Sequence, residues 1–81
     1  MNKMDSLQKA INDGLRTEVT ILDSTDKYVL ARYTKGDVTE YVTFQHDYKS
    51  VFQGHYFNTF GTHEAEARDN AWTDYRKRQN I

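Results

Sequence analysis

The fold of this chain is decided by one stretch of sequence: Val38-Thr-Glu-Tyr-Val-Thr-Phe-Gln-His46, then Asp47-Tyr-Lys-Ser50, then Val51-Phe-Gln-Gly-His-Tyr-Phe57. Two runs rich in β-branched and aromatic residues flank four residues of turn character, which is the pattern of a β-hairpin. Two more such runs precede it, at residues 17–22 and 27–34, with short separators at 23–26 and 35–37. Parallel strands need a crossover of a dozen residues or more, so the sequence predicts an antiparallel meander of four strands.

A helix is predicted on each side of the strands. In the first, at residues 5–13, Asp5 or Ser6 can cap the start and Gly14 suits the stop. In the second, at residues 62–78, Thr62 can cap the start. The charges of this second helix complement its dipole, with Glu64 and Glu66 early and Arg76, Lys77 and Arg78 late. Its apolar stripe is Ala65, Ala67, Ala71, Trp72 and Tyr75, which predicts Trp72 in the core.

The fold class is therefore α+β, in the order α-β-β-β-β-α, as a single domain over residues 1–81. The chain has no cysteine, which excludes disulfides and thiolate metal sites. No secretory leader and no apolar run of bilayer length are found, so we expect a cytoplasmic protein. A net charge of −1 favours neither a generic nucleic-acid binder nor an acidic mimic of nucleic acid.

The register of the second and third strands decides which residues share a face. A three-residue loop at 35–37 would put Leu30 opposite Val42 and Arg32 opposite Glu40. A two-residue loop would instead put Val29 opposite Val42. The first is preferred because it pairs apolar with apolar residues and joins opposite charges.

Strand alternation then predicts two unlike faces. The face beneath the C-terminal helix would carry Val42, Phe44, Phe52, Gly54 and Tyr56. The opposite face would carry Tyr41, Gln53, His55 and Phe57, two rings among polar neighbours, which suits a protein-binding hot spot. The alternative is that the N-terminal helix covers Tyr41 and Phe57.

No residues with the spacing of a catalytic or metal site are found. The histidines at 46, 55 and 63 lack the short-spaced pair that zinc sites commonly use. No Ser, His and acid arrangement and no phosphate-binding loop is present. We therefore expect no enzymatic activity, no metal and no cofactor.

The order helix, strands, helix also describes the double-stranded RNA-binding domain. That domain uses a lysine-rich entry to its second helix. Here the entry reads Thr62-His-Glu-Ala-Glu-Ala-Arg68 and is acidic. Nucleic acid is therefore the less favoured partner.

The pattern Tyr41-Val-Thr-Phe44, Gly54-His-Tyr-Phe57, Asp74-Tyr75 and Arg78 resembles small proteins of phages and mobile elements in Firmicutes-like bacteria. The resemblance covers the last half of the chain and implies a setting like that of anti-CRISPR proteins and other host-defence inhibitors. The leading hypothesis is a stoichiometric inhibitor that binds a host protein or a CRISPR effector complex. A small nucleic-acid-binding accessory protein and a subunit of a self-assembling phage complex are the alternatives, and a homodimer stays open.

Overall fold

The computed structural model describes residues 2–59 and 63–80 and has the element order that the sequence predicts. The elements are α1 (Lys3–Leu15), β1 (Thr20–Ser24), β2 (Tyr28–Lys35), β3 (Val38–His46), β4 (Val51–Asn58) and α2 (Glu64–Gln79). The strands form one antiparallel sheet in the order β1-β2-β3-β4. The predicted α+β meander between two helices is thus confirmed. Neither described helix is long and apolar enough to cross a membrane.

The predicted ends of α1 are wrong. Asn2 caps the start, since its Oδ1 accepts a hydrogen bond from the Asp5 backbone at 2.8 Å. The helix continues through Gly14 to Leu15 and ends on Arg16, which has a left-handed φ of 57°. Asparagine caps a helix as well as aspartate or serine does, so α1 begins at Lys3, two residues earlier than predicted.

The first strand starts later than predicted because residues before it are bonded to α1. Asn12 Oδ1 accepts from the Val19 backbone N–H at 3.0 Å, and Gln8 Nε2 donates to the Val19 carbonyl at 2.6 Å. Val19 therefore satisfies its backbone on the helix, and pairing with β2 begins at Thr20. At the other end of the chain, His63 precedes α2 without a side-chain capping bond. The predicted cap Thr62 lies outside the described residues.

The loop between β2 and β3 has two residues, as in the second predicted alternative, but the pairing of the strands differs from both predicted registers. Lys35 pairs with Val38 across a two-residue turn in which Gly36 has a φ of 63°. Glycine adopts this conformation without steric cost, so the turn can be this tight. As a result Ala31 pairs with Val42, and Arg32 pairs with Tyr41 rather than Glu40.

Each face of the sheet is covered by its own helix. On one face α1 packs Leu7 and Ile11 against the sheet residues Val29, Val42 and Phe44. On the other face α2 packs its small residues and Tyr75 against Leu30 and Tyr41. The prediction that α2 covers Val42 and Phe44 is wrong, because the larger side chains of α1 fill that face instead.

Trp72 lies at the margin of the α2 core, half-buried, and not at its centre. The centre is formed by Ala67, Ala71 and Tyr75, all of them buried. The small alanine side chains allow α2 to lie close to the sheet, and Tyr75 belongs to the same buried cluster as Leu30. The Trp72 ring meets Tyr75 edge-on, with centroids 5.9 Å apart.

Candidate functional site

Strand β4 contains a bulge that changes which side chains face each helix. Thr43 pairs with His55 and Gln45 pairs with Phe52, so Gln53 and Gly54 together oppose Phe44. Gln53 has a φ of 54°, in the left-handed region that L-residues seldom adopt. Such irregularities cost free energy and often occur where a strand presents a functional surface.

Gly54 makes this bulge possible. A Cβ atom at this position would lie 2.6 Å from Cε1 of Phe44 and 2.9 Å from Cε1 of Tyr56. The two rings meet edge-on with centroids 5.9 Å apart, over the space that a side chain would occupy. Glycine is therefore required here because of packing and not because of its own φ.

The bulge places one exposed ring on each side of β4. Phe52 lies opposite Gln45 and shares the α2 face, while Tyr56 lies opposite Val42 on the α1 face. Phe52 is 40% exposed and Tyr56 is 49% exposed. The prediction that these two rings share one face is wrong, because it assumed unbroken alternation.

A cluster of four polar side chains joins α2 to β3 and β4. We call it the Asp74 cluster: Thr43, His55, Asp74 and Arg78. Asp74 accepts a hydrogen bond from Thr43 Oγ1 at 2.6 Å, contacts His55 Nδ1 at 3.0 Å, and pairs with Arg78 Nε at 3.3 Å. Arg78 also donates to the backbone carbonyl of Gln53, which ties the bulge to the end of α2.

The electrostatics of the cluster favour a charged Asp74. Burial opposes ionisation of its carboxyl, but hydrogen bonds from Thr43 and His55 and the nearby charge of Arg78 outweigh that effect. Together they hold the pKa of Asp74 below its ordinary value. Arg78 itself is almost fully buried, which is uncommon for arginine unless it is paired.

The cluster fixes the orientation of an exposed imidazole. Both carboxylate oxygens of Asp74 lie 3.0 Å from Nδ1 of His55, and Arg78 Nε lies 3.3 Å from the same atom, so two neighbouring side chains hold one edge of the ring. The His55 side chain is nevertheless 52% exposed. A ring held in this way loses little rotational freedom when it meets a binding partner.

Of the four residues predicted to form a binding patch, two are covered by α2 and two are exposed. Tyr41 is buried under α2, where its hydroxyl donates to Glu64 Oε1 at 3.1 Å. Phe57 is partly buried in the same core. Gln53 and His55 are exposed. The prediction that this face is turned away from the C-terminal helix is wrong, and so is the alternative that α1 covers Tyr41 and Phe57.

Four exposed residues of β4 lie along the same edge of the sheet, and we call them together the β4 surface: Phe52, Gln53, His55 and Tyr56. They lie on an edge strand of eight residues, Val51–Asn58, that carries no Asp, Glu, Lys or Arg. The other edge, β1, has five residues and includes Asp23. Edge strands of natural proteins are usually protected by charges, so an uncharged edge with exposed rings indicates a contact surface.

Sequence reasoning missed Phe52, Tyr56 and the Asp74 cluster. The signal for the first two was Gly54 inside a strand pattern, which is a common mark of a bulge. The cluster had no such signal, because Thr43, His55 and Asp74 come from three different elements. Strand pairing places Thr43 beside His55, and the packing of α2 adds Asp74.

The buried His46 is bonded within the fold on both ring nitrogens. His46 contacts the Thr25 carbonyl through Nε2 at 2.8 Å and accepts from the Tyr48 backbone through Nδ1 at 3.1 Å. Among the described residues no group of three His, Asp or Glu side chains could hold a metal ion. A cleft of about 420 Å³ beside α1 is lined by Gln8, Asn12 and other polar residues. Both of these side chains are already bonded to Val19.

Comparison with known proteins yields no relative. No protein-family model matches the chain, and no curated protein or solved structure is similar enough to count as a match. The resemblance to phage and mobile-element proteins therefore stays a hypothesis.

Proposed function

We propose that this protein acts by binding another protein stoichiometrically, and that the β4 surface is the centre of the contact. The observation that carries the proposal is an uncharged edge strand with an exposed Phe52 ring beside the oriented imidazole of His55. Protein interfaces combine aromatic anchors with a few polar groups of fixed direction. This surface has both on one side of one strand.

The Asp74 cluster supports the proposal because it pre-organises the surface. Arg78 holds the bulge through the Gln53 carbonyl, and Asp74 holds His55. A buried arginine and carboxylate cost desolvation, so their retention at this place is reasonable if the geometry they fix is used. Phe52 has no such support and supplies the apolar contact.

Within this function, the setting we propose is a phage-type inhibitor, an anti-CRISPR or other anti-defence protein that covers a host protein complex. This part rests on the sequence resemblance alone. The electrostatics fit a contact driven by packing, since the net charge is −1 and β4 is uncharged.

The basic residues near the end of α2 give little support to nucleic-acid binding. Arg78 is committed to Asp74 and Gln53, and the Arg76 guanidinium lies 5.6 Å from the centre of the Trp72 ring. A phosphate-binding stripe needs several accessible cations in a row. Salt dependence separates the two classes, because counterion release makes phosphate binding fall steeply with salt.

The test compares the parent with two variants of the β4 surface, Phe52→Ser and His55→Ala. Each protein is immobilised and exposed to a bacterial lysate, and the retained proteins are compared between variants. The matched control is Leu22→Ser, which removes an exposed apolar side chain from the opposite edge, where Leu22 is 38% exposed. We expect a protein retained by the parent and by the control, and lost with either β4 variant.

Quantitative titration then measures affinity for that protein. Phe52→Ser should weaken it by about 2 kcal/mol or more, as for the loss of an interface anchor. Equal retention by all four proteins would refute the role of the β4 surface, and recovery of nucleic acid with steep salt dependence would refute protein binding.

The inhibitor setting has its own assay, in which a reconstituted RNA-guided CRISPR nuclease cleaves DNA in the presence of increasing amounts of this protein. Inhibition should be complete near one equivalent.

A further inference from the structure

The outer edge of β4 offers backbone hydrogen bonds at Tyr56. The Thr59 N–H donates to the Thr39 carbonyl at 3.0 Å, in register with the pairs Tyr41–Phe57 and Val42–Tyr56. Hydrogen-bonded and non-bonded pairs alternate along an antiparallel ladder. Tyr41–Phe57 is therefore a bonded pair and Val42–Tyr56 is not, so the N–H and C=O of Tyr56 point away from β3.

We propose that two copies of this chain associate through β4, antiparallel, with the two-fold axis at Tyr56. The outward N–H and C=O of Tyr56 then bond the same groups of the second copy. Strand pairing about this axis joins the two four-stranded sheets into one of eight strands. The inference goes beyond the proposed function and does not depend on it.

The side chains of β4 are self-complementary in this register. Residues pair when their numbers are symmetric about 56, so Tyr56 meets Tyr56 of the second copy on the α1 face. On the α2 face, His55 meets Phe57 of the second copy, and the reverse contact is made at the same time. Aromatic cross-strand pairs stabilise a sheet, and with no formal charge on β4 no like charges oppose each other.

The bulge explains why the association closes at two copies. Arg78 occupies the Gln53 carbonyl, so the edge beyond Gly54 is not open to a long added strand. Strand β1 is a poor partner, since it is short, contains Asp23 and has its own irregularity between Ile21 and Asp23. A contact of β4 with β1 of another copy would leave a free edge of each kind and could grow into a filament, whereas β4 with β4 uses both β4 edges and leaves only the β1 edges, which pair poorly.

Such a dimer would also complete the β4 surface. His55 of one copy and Phe57 of the other would lie side by side on the face of the joined sheet, between the two α2 helices. Each copy thus contributes a residue to the other's surface, and Phe52 remains accessible on both. The proposed partner would meet two copies of the surface at once.

The first experiment is sedimentation equilibrium of the purified chain over a wide concentration series. We expect a reversible monomer–dimer equilibrium with no larger species. Tyr56→Lys places two like charges at the axis and should raise the dimer dissociation constant on the order of a hundredfold. Tyr56→Glu should do the same alone, and mixing the two variants should restore a mixed dimer through opposite charges. Circular dichroism checks that both variants are folded.

Hydrogen exchange of the parent chain gives a second readout that needs no substitution. The Tyr56 amide should be protected at high concentration and should exchange faster on dilution, while the Phe57 amide, bonded to β3, should not change. A parent that stays monomeric at the highest concentration would overturn the proposal. The proposal would also be overturned by a dimer that persists in Tyr56→Lys or by filaments in place of dimers. A Tyr56 amide whose exchange rate does not depend on protein concentration would overturn it as well.

Discussion

Replacing Gly54 with alanine tests the bulge directly. The new methyl group would lie 2.6 Å from Phe44 and 2.9 Å from Tyr56, closer than non-bonded carbon atoms approach. Tyr56 is half exposed and its ring can swing outward, but Phe44 is buried and has no free space to enter. The cost is that of overpacking a core, about 1–3 kcal/mol in the free energy of unfolding.

The assay is thermal and urea denaturation followed by circular dichroism. In a domain of this size each kcal/mol corresponds to about 4–8 °C in the melting temperature, so the shift is easily measured. Gly14→Ala is the matched control. Gly14 lies within α1, and an added Cβ would make an ordinary 3.4 Å contact with Val51. This substitution should stabilise the protein by about 0.5–1 kcal/mol, as alanine does for glycine in a helix.

The two substitutions are chemically identical and should have opposite signs. If Gly54→Ala melts at the temperature of the parent, then no ring crosses this position and the bulge is misplaced. Loss of stability in both variants would instead argue against the extension of α1 beyond residue 13.

Two further predictions concern α2. Tyr75→Ala should destabilise the protein more than Trp72→Ala, because Tyr75 is fully buried and Trp72 is half-buried. Urea denaturation of both variants gives the order of their unfolding free energies. A larger loss of stability for Trp72→Ala would contradict the placement of the core. Asp74→Asn should change the pH dependence of stability. The lowered pKa of Asp74 means that its contribution is present above the pKa of the unfolded chain, about 4, and is lost as the pH falls through the lower folded pKa. The difference in unfolding free energy between the parent and Asp74→Asn should therefore be large at neutral pH and should disappear in acid. A difference that does not change with pH would show that the Asp74 carboxylate is not stabilised by its neighbours.

Local patterns predicted the elements because they depend on neighbouring residues. Strand β3 has its predicted bounds, Val38–His46, since its β-branched and aromatic residues lie between two turn segments. The helices also occur where the apolar spacing placed them. The ends of α1 differ because its caps are Asn2 and Arg16, which both lie outside the predicted range.

Register and faces could not be predicted because each depends on a single backbone choice. The φ of 63° at Gly36 shifts the pairing of β2 and β3 by one residue. The bulge at Gln53 moves Phe52 to the other face. A one-residue error of this kind inverts a strand's faces, so the predicted patch kept Gln53 and His55 but included Tyr41 and Phe57, which are covered by α2.

The covering of both faces by helices divides the sequence into positions that can vary and positions that cannot. In β2 and β3 the residues Val29, Leu30 and Ala31, and likewise Val42 and Thr43, are fully enclosed on whichever face they point to. At its centre, neither strand has a solvent-facing side on which substitutions would be neutral. Variation that survives selection should collect on β4, on the outer face of α2 and in the turns. If β4 binds a partner as proposed, a lineage of this protein can change that partner through the exposed positions of β4 while the core stays the same.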